Sequence, residues 1–325
     1  MGKGLDLGKT VQSGFDLKRG GRQLKIFISA DIEGVAGIVN WDETRKSSAE
    51  YPYFAEQMTN EVAAACAGAV LAGAEEIVVK DAHMSGRNIN PAKLPENVKL
   101  IRGWSGHPFS MIQGIDESFD AVAFIGYHSY GGSNASPLAH TMNSSLIDYV
   151  KLTGHYLSEF SLHAYLAAYL GVPVVFLSGD QGICEEAKKL NHNIVTVPII
   201  EGKGAASTSI HPNKAVKLIK GGMKEALQGD FTENKIELPK EYSLEIRYNF
   251  HGNAYKNSFY PGAKQISPKR IVFETKDYFE IMRAISFLIW FTYWKKEHSM
   301  KILVIRRSQS TVDLEDKCFF ASNGR

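Results

Sequence analysis

The sequence predicts an α/β protein with a mainly parallel sheet and helices on both faces, followed by a second, smaller α+β domain. Three observations carry this reading. From Leu24 to about Ile200, short apolar runs alternate with helical segments, the rhythm of a parallel sheet covered on both sides. Runs such as "KIFISA" and "VPVVFLSGD" have the apolar character of buried strands. After Gly202 the rhythm changes to helix, strand, strand, helix.

Taken in order, the elements are the strand "KIFISA", a helix near Tyr53 to Ala72, the strands "EIVVKD" and "VKLIRG", and a helix after Pro108. The strands "DAVAFIGYH", "VPVVFLSGD" and "NIVTVPII" follow. Between the first two of these, "LIDYVKLTGHYLS" alternates around Thr153-Gly154 and reads as a hairpin inserted in the α/β frame. Beyond Gly202 come a helix near Pro212 to Leu227, the strands "SLEIRYNF" and "KRIVFETK", and a helix from about Tyr278. The expected division is a mobile extension over 1–22, an α/β metal-binding catalytic domain over 23–200, a smaller α+β domain over 201–299, and a tail over 300–325 with no role assigned.

Composition narrows the function classes. A hydrophobic share of 44% is enough to build packed cores. The 37 basic and 35 acidic side chains nearly cancel, which argues against a nucleic-acid partner and favours a small substrate. Cys66, Cys184 and Cys318 form no CxxC pair, so neither a disulfide framework nor a thiolate zinc site is indicated and a cytoplasmic setting fits. Residues 1–22 lack the apolar core of a secretory signal. "GLDLGKT" fails as a phosphate-binding loop, since its first glycine would fall on Lys3 and no strand precedes it. The run "ISFLIWFTYW" is about half the roughly 20 residues of a membrane span and reads as a buried helix, so no membrane partner is expected.

Ligands of an open parallel sheet bind at the carboxyl ends of its strands, and the polar residues collect there. The first strand delivers Asp31 and Glu33, which share a face because extended side chains alternate. Two carboxylates so placed repel unless a cation or proton lies between them. Other strand ends supply Asp81 and His83, His128, and Asp180. A lone Asp in such a place is more often a cap or turn residue, and Asp81 and Asp180 are read that way. Four strands aiming carboxylate or imidazole at one edge is harder to ascribe to chance. Oxygen and imidazole donors without thiolate suit zinc or manganese, and a shared carboxylate would make a two-metal centre with Asp31 as the natural bridge. "HPFSM" is a simple helix start with no chemistry assigned.

"SADIEGVAG", "KDAH", "HPFSMIQGID", "FIGYH", "AHTM" and "LSEFSLHAY", in this order, resemble the DppA-like D-aminopeptidases over about Leu24 to Phe287. The resemblance implies a dinuclear zinc peptidase, two Zn2+ per chain, that removes N-terminal D-amino acids from short peptides. It further implies that Asp31 bridges the ions, that Glu33 and His83 complete one site, and that His128 and Glu159 complete the other. His140, in "SPLAHTM", takes the position of the family's catalytic histidine. A homodecamer enclosing its active sites is implied in the same way. Glu159 rests on the resemblance alone, because an acid opening a helix ordinarily only favours the helix dipole. His163, one turn further on, is read as helix-face packing. The rival readings are a two-metal phosphoesterase, whose D-x-H and G-N-H motifs are missing here, and a metal- or peptide-binding module without turnover, which would have no need of His140.

Overall fold

The computed structural model describes residues 23–290. The extension before it, the tail and the end of "ISFLIWFTYW" lie outside the described residues. Those described fall into two compact units. One comprises the residues up to Ala139 together with Ser158–Pro239, and the other His140–Leu157 together with the residues from Lys240 onward.

In the first unit, strands β1 (Leu24–Ala30), β2 (Ala74–Asp81), β3 (Val98–Ile101), β4 (Ala121–Tyr127), β7 (Val174–Asp180), β8 (Val195–Lys203) and β9 (Ala206–Ser209) form one sheet in the order β3-β2-β1-β4-β7-β8-β9. All neighbours are parallel except β9, which folds back on β8. Alternation sends Ile26, Ile28 and Ala30 of β1 to one face, into a core with Met58, Val62, Ala65, Ile219 and Met223. Those partners come from helices α1 (Tyr51–Leu71) and α4 (Pro212–Gln228). The two helices approach so closely at Gly68 that a Cβ there would stand 2.5 Å from the Lys220 carbonyl oxygen. On the opposite face, Phe27 meets Phe119 edge-on, and Phe124 meets Phe160 of helix α2 (Glu159–Tyr169) with ring centroids 5.1 Å apart. Helix α3 (Gln181–Leu190) follows β7 and is capped by Asp180.

Backbone crowding fixes where the central strands end. Tyr127 closes β4, and a Cβ on either Gly34 or Gly179 would stand 2.0 Å from its carbonyl oxygen. Gly126, at φ 70, lies so near the Asp31 carbonyl oxygen that a Cβ would come within 2.3 Å of it. Only glycine fits at all three places.

The second unit has its own antiparallel sheet of β5 (Ile147–Leu152), β6 (His155–Tyr156), β10 (Tyr242–Tyr248), β11 (Ala263–Ser267) and β12 (Arg270–Thr275), in the order β11-β12-β10-β5-β6. The hairpin expected at Thr153-Gly154 is present, and both residues take the positive φ that a tight two-residue turn requires, 49° and 86°. Helices α5 (His251–Asn257) and α6 (Tyr278–Ile285) complete it, and the chain continues past α6 as a π-helical turn, Ser286–Trp290, with Leu288 and Ile289 buried.

Two expectations are corrected. The division at residue 200 does not hold, because α4 joins α1 over the parallel sheet while the hairpin β5–β6 pairs with β10. The helix expected after Pro108 is a single 3-10 turn, Ser110–Ile112. Ser110 at φ 48 and Gly114 at φ 97 take left-handed conformations that an α-helix cannot continue through. Among the described residues no helix is long and apolar enough to cross a membrane.

Candidate metal centre

Asp31 leaves β1 and Glu33 follows it in a turn held from several sides. The Ala36 amide donates to the buried Glu61 carboxylate, and the Val39 and Asn40 amides donate to Glu43 at 2.6 and 2.8 Å. The short 3-10 turn Trp41–Glu43 then ends at Thr44, whose carbonyl oxygen lies 2.9 Å from His83 Nε2. That bond places the His83 hydrogen on Nε2. Nδ1 is left facing Asp31 Oδ1 at 3.1 Å and Glu33 Oε2 at 3.2 Å.

His128, directly after β4, repeats the arrangement. Its Nδ1 donates to the Ser129 carbonyl at 3.0 Å, and Nε2 faces Asp31 Oδ2 and Glu159 Oε1, each at 3.6 Å. Each imidazole therefore gives one N–H to a backbone carbonyl and turns its other nitrogen toward two carboxylates. The two oxygens of Asp31 point to different histidines. Asp31, Glu33, His83, His128 and Glu159 are all buried.

The donor set fits a divalent cation. Ligand atoms bound tetrahedrally to one zinc-sized ion at about 2.0–2.2 Å stand about 3.3–3.6 Å from each other. The spacings of 3.1, 3.2, 3.6 and 3.6 Å bracket that range. The ligand atoms of Asp31, Glu33 and His83 all lie within 4.8 Å of one another.

Electrostatics make the same demand for positive charge. Burial, then the Glu33 charge, raises the Asp31 carboxyl well above its usual range, with His83 opposing. Burial alone would lower His83, but Glu33 and Asp31 outweigh it and hold the imidazole well above its ordinary value. His128, likewise opposed by burial, is pushed up to about 10 by Glu159, Glu33 and Asp31. The carboxylates thus draw positive charge to both imidazoles, where a cation would sit. Cation uptake should displace protons from the centre, and acidification should weaken it. Titration calorimetry in buffers of different ionisation enthalpy counts those protons, and a count near zero would contradict the geometry.

A family model for D-aminopeptidases, the M55 peptidases, matches residues 24–287. The chain belongs to the D-aminopeptidase family. A D-aminopeptidase of Bacillus subtilis (strain 168) is 29% identical over 266 residues, covering 81% of this chain and 95% of that one. A solved structure, described as the Zn-dependent D-aminopeptidase DppA from Bacillus subtilis, a self-compartmentalizing protease, superposes with a TM-score of 0.77. It is 26% identical and covers 82% of this chain and 96% of its own. Membership of the D-aminopeptidase family makes this chain a metallopeptidase, and it sets aside both the phosphoesterase and the binding-module readings.

Around the centre of this D-aminopeptidase relative, other acids and histidines act as props. Asp81 accepts the Asn88 and Ile89 amides, and the Asn88 side chain also bonds the His83 carbonyl, so Asp81 fixes the loop that carries His83. His163 donates from Nδ1 to the Glu159 carbonyl at 2.6 Å and accepts the Met111 amide at Nε2. Burial lowers its pKa to about 4, so it is a neutral structural imidazole. His140 opens the second unit, one peptide bond beyond Ala139. The sequence reading missed Thr44 and Glu61. A backbone carbonyl has no residue signature, and Glu61 looks like any acid on a helix until its burial is seen.

Proposed function

We propose that this chain is a zinc aminopeptidase with two ions per subunit, hydrolysing short peptides from an amino end that carries a D-residue such as D-alanine. Asp31 would hold both ions, with Glu33 and His83 supplying further ligands to one and His128 and Glu159 to the other. The observation that carries this is the Asp31 carboxylate, whose oxygens face two imidazoles, each braced by its own backbone carbonyl. A zinc pair, when bound, lowers the pKa of water and polarises the carbonyl under attack. The protein's part is to hold both imidazoles in the tautomer that presents a lone pair, and to keep the carboxylates dry and fixed. His140 moves the proton: an imidazole takes one from the attacking water and returns it to the departing amine near neutral pH.

The solved relative is a self-compartmentalizing protease, which favours a homo-oligomer here, and the family resemblance favours a decamer. Cys66 and Cys184, both buried and unbridged, fit a reducing cytoplasm. The test is hydrolysis of paired D- and L-alanyl di- and tripeptides by zinc-loaded protein. Cleavage of the D-series at the first peptide bond is expected. Turnover confined to the L-series would remove the D-residue assignment, and none on either series would remove the aminopeptidase.

A further inference from the structure

Helix α3 (Gln181–Leu190) touches the surroundings of His128 and of Glu159 through separate carboxylates. Asp180, its N-cap, accepts the Ser129 amide at Oδ2 and the Ser129 hydroxyl at Oδ1, both at 2.6 Å, while Oδ1 also caps the Ile183 amide at 2.8 Å. Ser129 follows His128 directly and supplies the carbonyl that receives its Nδ1–H. Six residues along, Glu186 Oε1 accepts the Ser158 hydroxyl at 2.8 Å. Ser158 is the N-cap of α2 and immediately precedes Glu159, with its hydroxyl and amide exchanging bonds with Ser161.

We propose that α3 is a brace for one of the two ion positions: Asp180 aims His128 through Ser129, and Glu186 aims Glu159 through Ser158, making both acids positioning residues. The inference rests on the two-ion reading above. Its physical content is that both ligands of this position sit next to a serine tied to one rigid helix. Their spacing is then set by α3 and not by the flexibility of two loops. Retaining two acids here is costly, since burial raises both Asp180 and Glu186, the latter to about 6, and the serine bonds only partly offset it. A helix that needed only a cap and an apolar face would have no use for Glu186, whose Oε2 is buried without a hydrogen-bond partner among the described residues.

The test measures zinc affinity at each position by competition with a chromophoric chelator, for wild type, Glu186→Ala, Glu186→Gln and Asp180→Asn. Glu186→Ala should weaken one ion by about 10- to 100-fold, the usual cost of losing a group behind a metal ligand, and leave the other unchanged. Glu186→Gln should restore most of it, since an amide oxygen still accepts the Ser158 hydroxyl. Asp180→Asn cannot accept both Ser129 bonds and should weaken the same ion. Glu186→Ala and Asp180→Asn both binding two ions as wild type does would overturn the brace, as would equal weakening of both positions alongside a lowered Tm. Wild type holding fewer than two ions would overturn the two-ion reading itself, and the brace with it.

Discussion

Replacing His140 by alanine should leave the fold and the metal content intact and lower turnover by roughly a hundredfold or more, the scale of one general acid/base group. His140 follows "GGSNASP" in the chain, whereas His83 and His128 lie within two residues of the end of a strand of the parallel sheet. A residue whose work is moving a proton has to be carried to the reacting atoms, and it is not required to fix an ion. Both imidazoles that face Asp31 are already held by a backbone carbonyl on the far side. Elemental analysis beside steady-state kinetics separates the outcomes. Loss of an ion in His140→Ala would make His140 a ligand, and unchanged turnover on the best peptide would defeat the mechanism.

Asp31→Ala should be still more damaging, because the two oxygens of this one carboxylate face His83 and His128 separately, at 3.1 and 3.6 Å. Both ions should bind more weakly by more than about a hundredfold, exceeding the cost of disturbing a supporting group, and peptide hydrolysis should fall to background. The contrasting variant is Glu33→Ala, whose carboxylate stands 3.2 Å from His83 and which should weaken the ion at His83 more than the ion at His128. If Asp31→Ala gives up one ion and retains the other at full affinity, the bridging role is wrong.

Much of this is legible in the residues themselves. Strand ends such as "FISAD" and "VVKDAH" announce themselves because a buried apolar run stops at an acid, and a parallel sheet gathers such ends along one edge. Glu159 is not legible in that way, since an acid in the first helical turn has an ordinary use. Its significance lies in a 3.6 Å approach to a histidine 31 positions earlier, which no local pattern encodes. The segment after Pro108 misleads for a related reason. Proline at a helix start is a sound local signal, yet Ser110 takes a left-handed conformation and the helix never propagates. The division into units is hidden because the segment 140–157 joins strands from beyond residue 240, and long-range pairing of that kind leaves no mark on periodicity.

The grip on the Tyr127 carbonyl bears on how such an enzyme could be re-engineered. Two hydrogens, on Gly34 and on Gly179, occupy the places where any other residue would put a carbon 2.0 Å from that oxygen, and Gly126 is equally confined against Asp31. A side chain at any of these three positions presses on the backbone of Asp31 or of Tyr127, the residue before His128, whatever it does to a preference for one peptide over another. Holding these three positions constant removes a class of inactive clones in advance. What remains variable is then the part of the chain whose side chains can change without moving a strand end.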